Sequence, residues 1–393
     1  MTTKLRIGLL RLTDGAPVIT AHEFGFFAEE SIETELVVEP SWANIADKLA
    51  YGFIDAAVML PPLALAAELG LRGKRQPLII PYIVSANGNT ITLTTSLAEE
   101  VKGLAARQNI STVAALAACL RARQTTLGVV HTYSTHNLLL RYFLATAGVE
   151  AERDVRLAVI PPASAVEALI SGQIAGFCAG APWAEVARRA KVGAAIATSR
   201  DIWKSAPEKA FAVSALWADD HGAALAGAIR AMLRAAKFCD DPKNASYVAA
   251  LLSRRRYLDV DAHVILANLP GGSAGGAKCG FFSGAVTFPW RSQGMWFLKE
   301  TRRWGLMDKD SDARELVTRV YRPDLYRAAL APLREPAPIG DWKREGAHDQ
   351  EWSLEAAPAA ISMPPDSFCD GTIFDPGEVW GGTEAAKIGA LHK

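Results

Sequence analysis

The chain has 393 residues, half of them hydrophobic, and its 42 Lys plus Arg are balanced by 42 Asp plus Glu. That length makes two to three domain-sized units with enough apolar residue for real cores. A neutral balance gives no electrostatic drive toward nucleic acid or an acidic membrane surface, and no run reaches the ~18 apolar residues a membrane span needs. The five cysteines (Cys119, Cys178, Cys239, Cys279 and Cys369) are odd in number, widely spaced and free of any CxxC or Cys/His cluster. They read as free thiols in a reducing compartment, so neither a disulfide framework nor a metal site is expected. No cofactor is expected either.

The opening MTTKLRIGLLRLTDGAP is not patterned as a secretory leader. Arg6 and Arg11 interrupt the apolar run, and Thr13, Asp14 and Gly15 follow it. Leu5 to Leu10 predicts a first strand, and a cytoplasmic location is expected. Further strands are predicted at Glu35–Pro40, Asp55–Met59, Leu78–Val84 and Thr90–Thr95. Helices are predicted at Ala16–Glu29, Trp42–Tyr51 and Pro62–Leu71. Ser96 and Thr112 read as helix N-caps. Thr126–Val130, Val155–Ile160 and Ile174–Cys178 are the next strands, with helices over Ser134–Ala147 and from Ser164. Ala194–Ala197 and Ala210–Ser214 complete the strands. This alternation argues for mostly parallel α/β sheets with helices on both faces. From His221 the pattern turns helical, over Ala223–Cys239 and Pro242–Leu252. A Gly-rich break at Gly271–Gly276 follows, then helices at Trp296–Trp304 and Asp312–Tyr321. After about Ala331 the chain is rich in Pro, Gly and acids. The expected organisation is a first lobe over 1–90, a second over 91–212, a mainly helical completion of the first over 213–330, and an extended tail over 331–393.

Two such α/β lobes leave a cleft lined by strand C-termini and helix N-termini, whose free backbone N–H groups suit small anions. Enzymatic readings find little support. There is no GxSxG, no GxxxxGK[ST] and no GxGxxG opening a helix.

Specific motifs then appear in order: Arg6-Ile7-Gly8-Leu9 with Leu12-Thr13-Asp14-Gly15-Ala16-Pro17, Gly25-Phe26-Phe27, Ser41-Trp42-Ala43-Asn44-Ile45, Asn87-Gly88-Asn89, Ser134-Thr135-His136-Asn137, Pro207-Glu208-Lys209-Ala210-Phe211 and Arg303-Trp304-Gly305. The ordered set resembles the nitrate-binding and bicarbonate-binding proteins of cyanobacterial-type ABC transporters across nearly the whole chain. The resemblance implies a type II periplasmic-binding-protein fold, two α/β lobes around a small oxyanion. Within that family the leaderless cytosolic nitrate sensors fit best, whose partner is a NasT-type RNA-binding antiterminator. A transporter-bound nitrate receptor is the alternative, followed by a bicarbonate receptor and a thiamin-pyrimidine-synthase-like enzyme, whose Cys-rich iron motif is missing here.

The resemblance also implies the ligand residues. Lys209 occupies the position of a lysine in the nitrate binders, where the bicarbonate binders carry an acid that helps hold calcium. A lysine neutralises nitrate directly. His136 would donate to one oxygen from a helix start. Trp42 would close the site against a flat ion and donate its indole N–H. Asn89 stands where the nitrate binders have glutamine, so its amide is one methylene shorter. Gly88 would permit close backbone approach. His131, outside any motif, reads as structural. Ala181 replaces a glutamate that precedes Pro-Trp in many relatives.

Overall fold

In the computed structural model, which describes residues 2–272, 276–307 and 312–378, the apolar runs become the strands of two separate sheets. In chain order these are β1 (Thr3–Leu9), β2 (Ile32–Val38), β3 (Ala56–Met59), β4 (Leu78–Asn87), β5 (Asn89–Thr94), β6 (Thr126–Val129), β7 (Arg156–Val159), β8 (Gly176–Gly180), β9 (Gly193–Thr198), β10 (Pro207–Ser214) and β11 (Cys279–Gly280). The first sheet runs β11-β4-β10-β3-β1-β2 and the second β7-β6-β8-β5-β9.

Neither sheet is wholly parallel. β1, β2 and β3 run together, as do β6, β7 and β8. β10 is antiparallel to both β3 and β4, and β5 to both β8 and β9. The cause lies in the crossovers. The parallel strands end at the cleft, whereas β5 and β10 start there, having just crossed from the other lobe, so each enters its sheet against its two neighbours. This moves a boundary. The second sheet closes at Thr198, and Pro207–Ser214 belongs to the first sheet rather than to a second lobe reaching residue 212.

The β4–β5 crossover turns on Asn87 and Gly88, both at positive φ (60° and 86°). A Cβ on Gly88 would lie 2.5 Å from the Cys279 thiol, so glycine is required by space as well as by backbone. The predicted helix Ala16–Glu29 is split into Ala16–Glu23 and Phe26–Glu29, because Gly25 adopts φ 74° between them. The caps of the two helices predicted from Ser96 and Thr112 sit slightly earlier. Thr94 and Ser111 accept from the backbone N–H three residues on.

The C-terminal part bridges the lobes. Trp296, on helix Arg291–Arg303, packs beside Tyr142 of the second lobe and Trp203 of the second crossover. Phe368 of the tail stacks against Trp296 and Trp203, and Asp370 accepts from the Tyr142 hydroxyl. The tail is thus a strap that makes short strand pairs, Ala337–Pro338 with Ala356–Ala357 and Trp352–Leu354 with Ile361–Met363. Residues 379–393 of the expected tail, and 273–275 of the Gly-rich break, lie outside the described residues. Among the described residues no helix is long and apolar enough to cross a membrane.

Candidate anion site between the lobes

The cleft edge collects the ends of both sheets. β1 is followed by a short 3-10 turn, Thr13–Gly15, which carries Asp14. Helix Trp42–Ala50 starts at Trp42 because the Ser41 hydroxyl caps it by accepting from the Asn44 N–H. Helix Thr135–Ala145 is capped in the same way by Ser134, which puts His136 in its first turn. Asn89 opens β5, Gly180 ends β8, and Glu208 with Lys209 opens β10. The Thr13 N–H donates to the Ala181 carbonyl across the cleft (2.9 Å), so the lobes are closed on one another.

Four of the five residues expected from the sequence meet here. Lys209 is fully buried, its ammonium 2.7 Å from Asp14 Oδ2 and paired also with Glu208. It lies 5.4 Å from the centre of the Trp42 ring, a cation–π distance. His136 Nε2 is 3.2 Å from Glu208 Oε1. The alignment is too poor for a hydrogen bond, and both ring nitrogens are without partners. Asn89 commits one amide N–H to Glu208, while its Oδ1 has no donor. Gly88 is different. It faces Cys279, and its carbonyl accepts from the Ala181 N–H, so its part is in the crossover. Lys209 comes from the first sheet, not from the second lobe or its edge. His131 accepts from the Tyr133 N–H, away from the cluster, and burial holds its ring down to about 4.

Reasoning from sequence missed Asp14, Glu208, Thr13 and Gly180. Asp14 directly follows the first strand, the usual place for a cleft residue in an α/β fold, and that signal was available. A Cβ on Gly180 would lie 3.3 Å from Asp14 Oδ2, 3.4 Å from Asn89 Oδ1 and 3.5 Å from His136 Nε2. Gly180 is therefore the bare floor around which the polar atoms converge. Trp42 Nε1 and Thr13 Oγ1 are also buried without partners.

Burial sets the charges. It pushes the His136 ring well below its ordinary value, aided by Lys209, so His136 is neutral. It pushes both the Asp14 and Glu208 carboxyls up, against the pull of Lys209. Lys209 is held above its usual value because the two carboxylates outweigh its own desolvation. No cluster of three or more metal-ligating side chains occurs among the described residues. A separate cavity of about 260 Å³ opens beside the crossovers, lined by Asn87, Lys204, Pro207, Cys279 and Trp290, and by none of Lys209, Asp14, Glu208, His136, Asn89 and Trp42.

This geometry can be compared with known proteins. The NMT1-like family matches residues 1–253. The chain is 34% identical over 348 residues to the nitrate import ATP-binding protein NrtC of Synechocystis sp. PCC 6803, covering 86% of this chain and 51% of that protein. It is also 34% identical over 335 residues to the bicarbonate transport ATP-binding protein CmpC of Synechococcus elongatus PCC 7942, covering 84% and 49%. It thus spans about half the length of these two relatives. The nitrate/nitrite binding protein NrtA of Nostoc sp. PCC 7120 is 30% identical over 391 residues, covering 95% of this chain and 83% of that one. The crystal structure of the periplasmic nitrate-binding protein NrtA from Synechocystis PCC 6803 superimposes with a TM-score of 0.81 at 26% identity, covering 96% of each chain. The two-lobed α/β architecture is that of periplasmic-binding proteins, and the chain belongs to the NMT1-like family.

Proposed function

We propose that this chain binds nitrate or nitrite between its lobes and serves as the substrate-binding receptor of an ABC importer. The supporting observation is the mismatch of hydrogen-bonding groups in the closed cleft. The Trp42 indole N–H, the Thr13 hydroxyl and the neutral His136 ring are each a donor without a partner in a cleft that holds one buried ammonium. Nitrate is a flat ion that only accepts hydrogen bonds, so it satisfies such donors without adding any of its own. The match to NrtA over nearly the full chain supports the same ligand.

Ligand contact with both lobes stabilises the closed form selectively and shifts the population toward it. Lys209, Asp14 and Trp42 belong to the first lobe, His136 and Gly180 to the second. Isothermal titration with nitrate, nitrite, and bicarbonate with and without calcium tests the reading. Binding of nitrate or nitrite is expected; bicarbonate with calcium alone, or none of these ions, refutes it.

A second reading concerns output rather than ligand: a cytosolic sensor that holds a NasT-type RNA-binding antiterminator until nitrate arrives. The observation in its favour is that all five cysteines are free, as suits a reducing compartment. By reciprocity, nitrate would weaken such a partner's binding by the factor with which the partner weakens nitrate's. A pull-down with and without nitrate separates the two. Release of an RNA-binding protein on adding nitrate supports the sensor, and nitrate-dependent association with a membrane permease supports the receptor.

A further inference from the structure

The charge of the site does not suit an anion as it stands. From the turn after β1 comes Asp14; from β10, Glu208 and Lys209; from helix Thr135–Ala145, His136. β8 and β11 present Cys178 and Cys279, and β5 and helix Trp42–Ala50 present only the neutral Asn89 and Trp42. Burial holds both thiols protonated and the imidazole neutral. With both carboxyls ionised, the cluster carries two negative charges against one positive. A bound nitrate would make it three against one, where Asp14, Glu208, Lys209 and His136 are each 4% exposed or less. In a medium of low effective dielectric, an uncompensated pair of like charges costs several kcal/mol.

Resting on the reading above, we propose that the site takes nitrate together with one proton, and that Asp14 carries it. Nitrate is the anion of a strong acid and cannot hold the proton itself, so a protein group must. The two carboxyls are not equivalent. Glu208 accepts from the Asn89 amide as well as from Lys209, and both bonds favour its ionised form against the push of burial. Asp14 has Lys209 alone. Its Oδ2 borders the Gly180 floor, as does Asn89 Oδ1, which has no donor. A protonated Asp14 turns from acceptor to donor, so it can serve the nitrate. One proton thus restores charge balance and supplies a further donor. Co-binding also sets a selectivity, since a group protonated only beside an anion in a closed cleft favours anions that leave the proton on the protein.

The test is isothermal titration of the full chain with nitrate in buffers of different ionisation enthalpy, with and without a chelator. The dependence of the apparent enthalpy on the buffer counts protons taken up. At about pH 8 an uptake close to one is expected, with affinity falling about tenfold per pH unit. Asp14→Asn, which mimics the protonated carboxyl, should take up none, and its nitrate affinity should no longer fall with pH. Nitrate binding by wild type with no proton uptake overturns the proposal, as does binding that fails once metal is chelated. Loss of uptake in Glu208→Gln but not in Asp14→Asn overturns the assignment to Asp14. The wild-type measurement stands even if a variant does not fold. Absence of nitrate binding at every pH is a different result, and it refutes the proposed ligand instead.

Discussion

Lys209→Met is the sharpest perturbation of the site, because it removes the charge and keeps most of the side-chain volume. Lys209 is fully buried and is the one cation paired with Asp14 and Glu208 among the described residues. An ammonium about 4 Å from a nitrate, at an effective dielectric of about 20, contributes about 4 kcal/mol. Part of this is already spent on the two carboxylates, so a net loss of roughly 2–4 kcal/mol is expected, a thirty- to thousand-fold weakening. Stability falls as well, because removing one partner from a buried ion pair costs about 3–5 kcal/mol. Its sign with pH follows from the carboxyls. Burial already places both above their unfolded values, so the native state binds more protons than the unfolded one and loses stability as pH rises through that window. Without Lys209 the slope steepens, and the variant should be most nearly native in acid. Isothermal titration measures the affinity, and urea unfolding at two pH values measures the slope. A folded Lys209→Met that binds nitrate within about threefold of wild type would refute the assignment of the anion to this cluster.

Other outcomes follow from single atoms. Trp42→Phe keeps an aromatic ring but deletes an indole N–H that has no partner; nitrate affinity should drop roughly fivefold, about 1 kcal/mol, and an unchanged affinity would show that Trp42 only packs. Gly180→Ala places a methyl 3.3–3.5 Å from Asp14, Asn89 and His136; binding should weaken by at least about tenfold, with less than about 1 kcal/mol lost in unfolding, and intact binding would move the ligand off that floor. His131 is held neutral to about 4 by burial, against about 6.5 when unfolded. In that window the unfolded chain binds the extra proton, so acid destabilises the fold. The stability difference between wild type and His131→Asn should therefore change by about 1.4 kcal/mol per pH unit between about 6.5 and 4, and a constant difference would contradict it.

The sequence told most where the signal was local. Apolar runs located β1 to β10 within three residues, though not β11, and the helix starts near Trp42 and His136 were legible, while the caps read at Ser96 and Thr112 fall at Thr94 and Ser111. Lys209, Trp42, His136 and Asn89 were found through family motifs, and they do converge. What escaped was set by tertiary context. Nothing in Pro207–Ser214 says that it inserts antiparallel between β3 and β4, because its direction follows from where the chain re-enters the first lobe. Glu208 lay inside a motif whose lysine drew the attention, and its chemistry depends on Asn89, 119 residues away. Gly180 has no local mark at all. Its importance is the room it leaves among three side chains brought from distant parts of the chain.

The two crossovers also fix an order of assembly. The second sheet is built from one uninterrupted stretch, Asn89 to Thr198, so it can close as soon as that stretch has left the ribosome. The first sheet cannot. Until β10 arrives, β3 and β4 face each other across a gap, each with an unsatisfied edge of the kind that pairs with stray strands. The later-finished lobe is therefore the one that begins the chain, and the interval between the synthesis of Asn87 and that of Ser214 is when a nascent copy most needs protection from its neighbours.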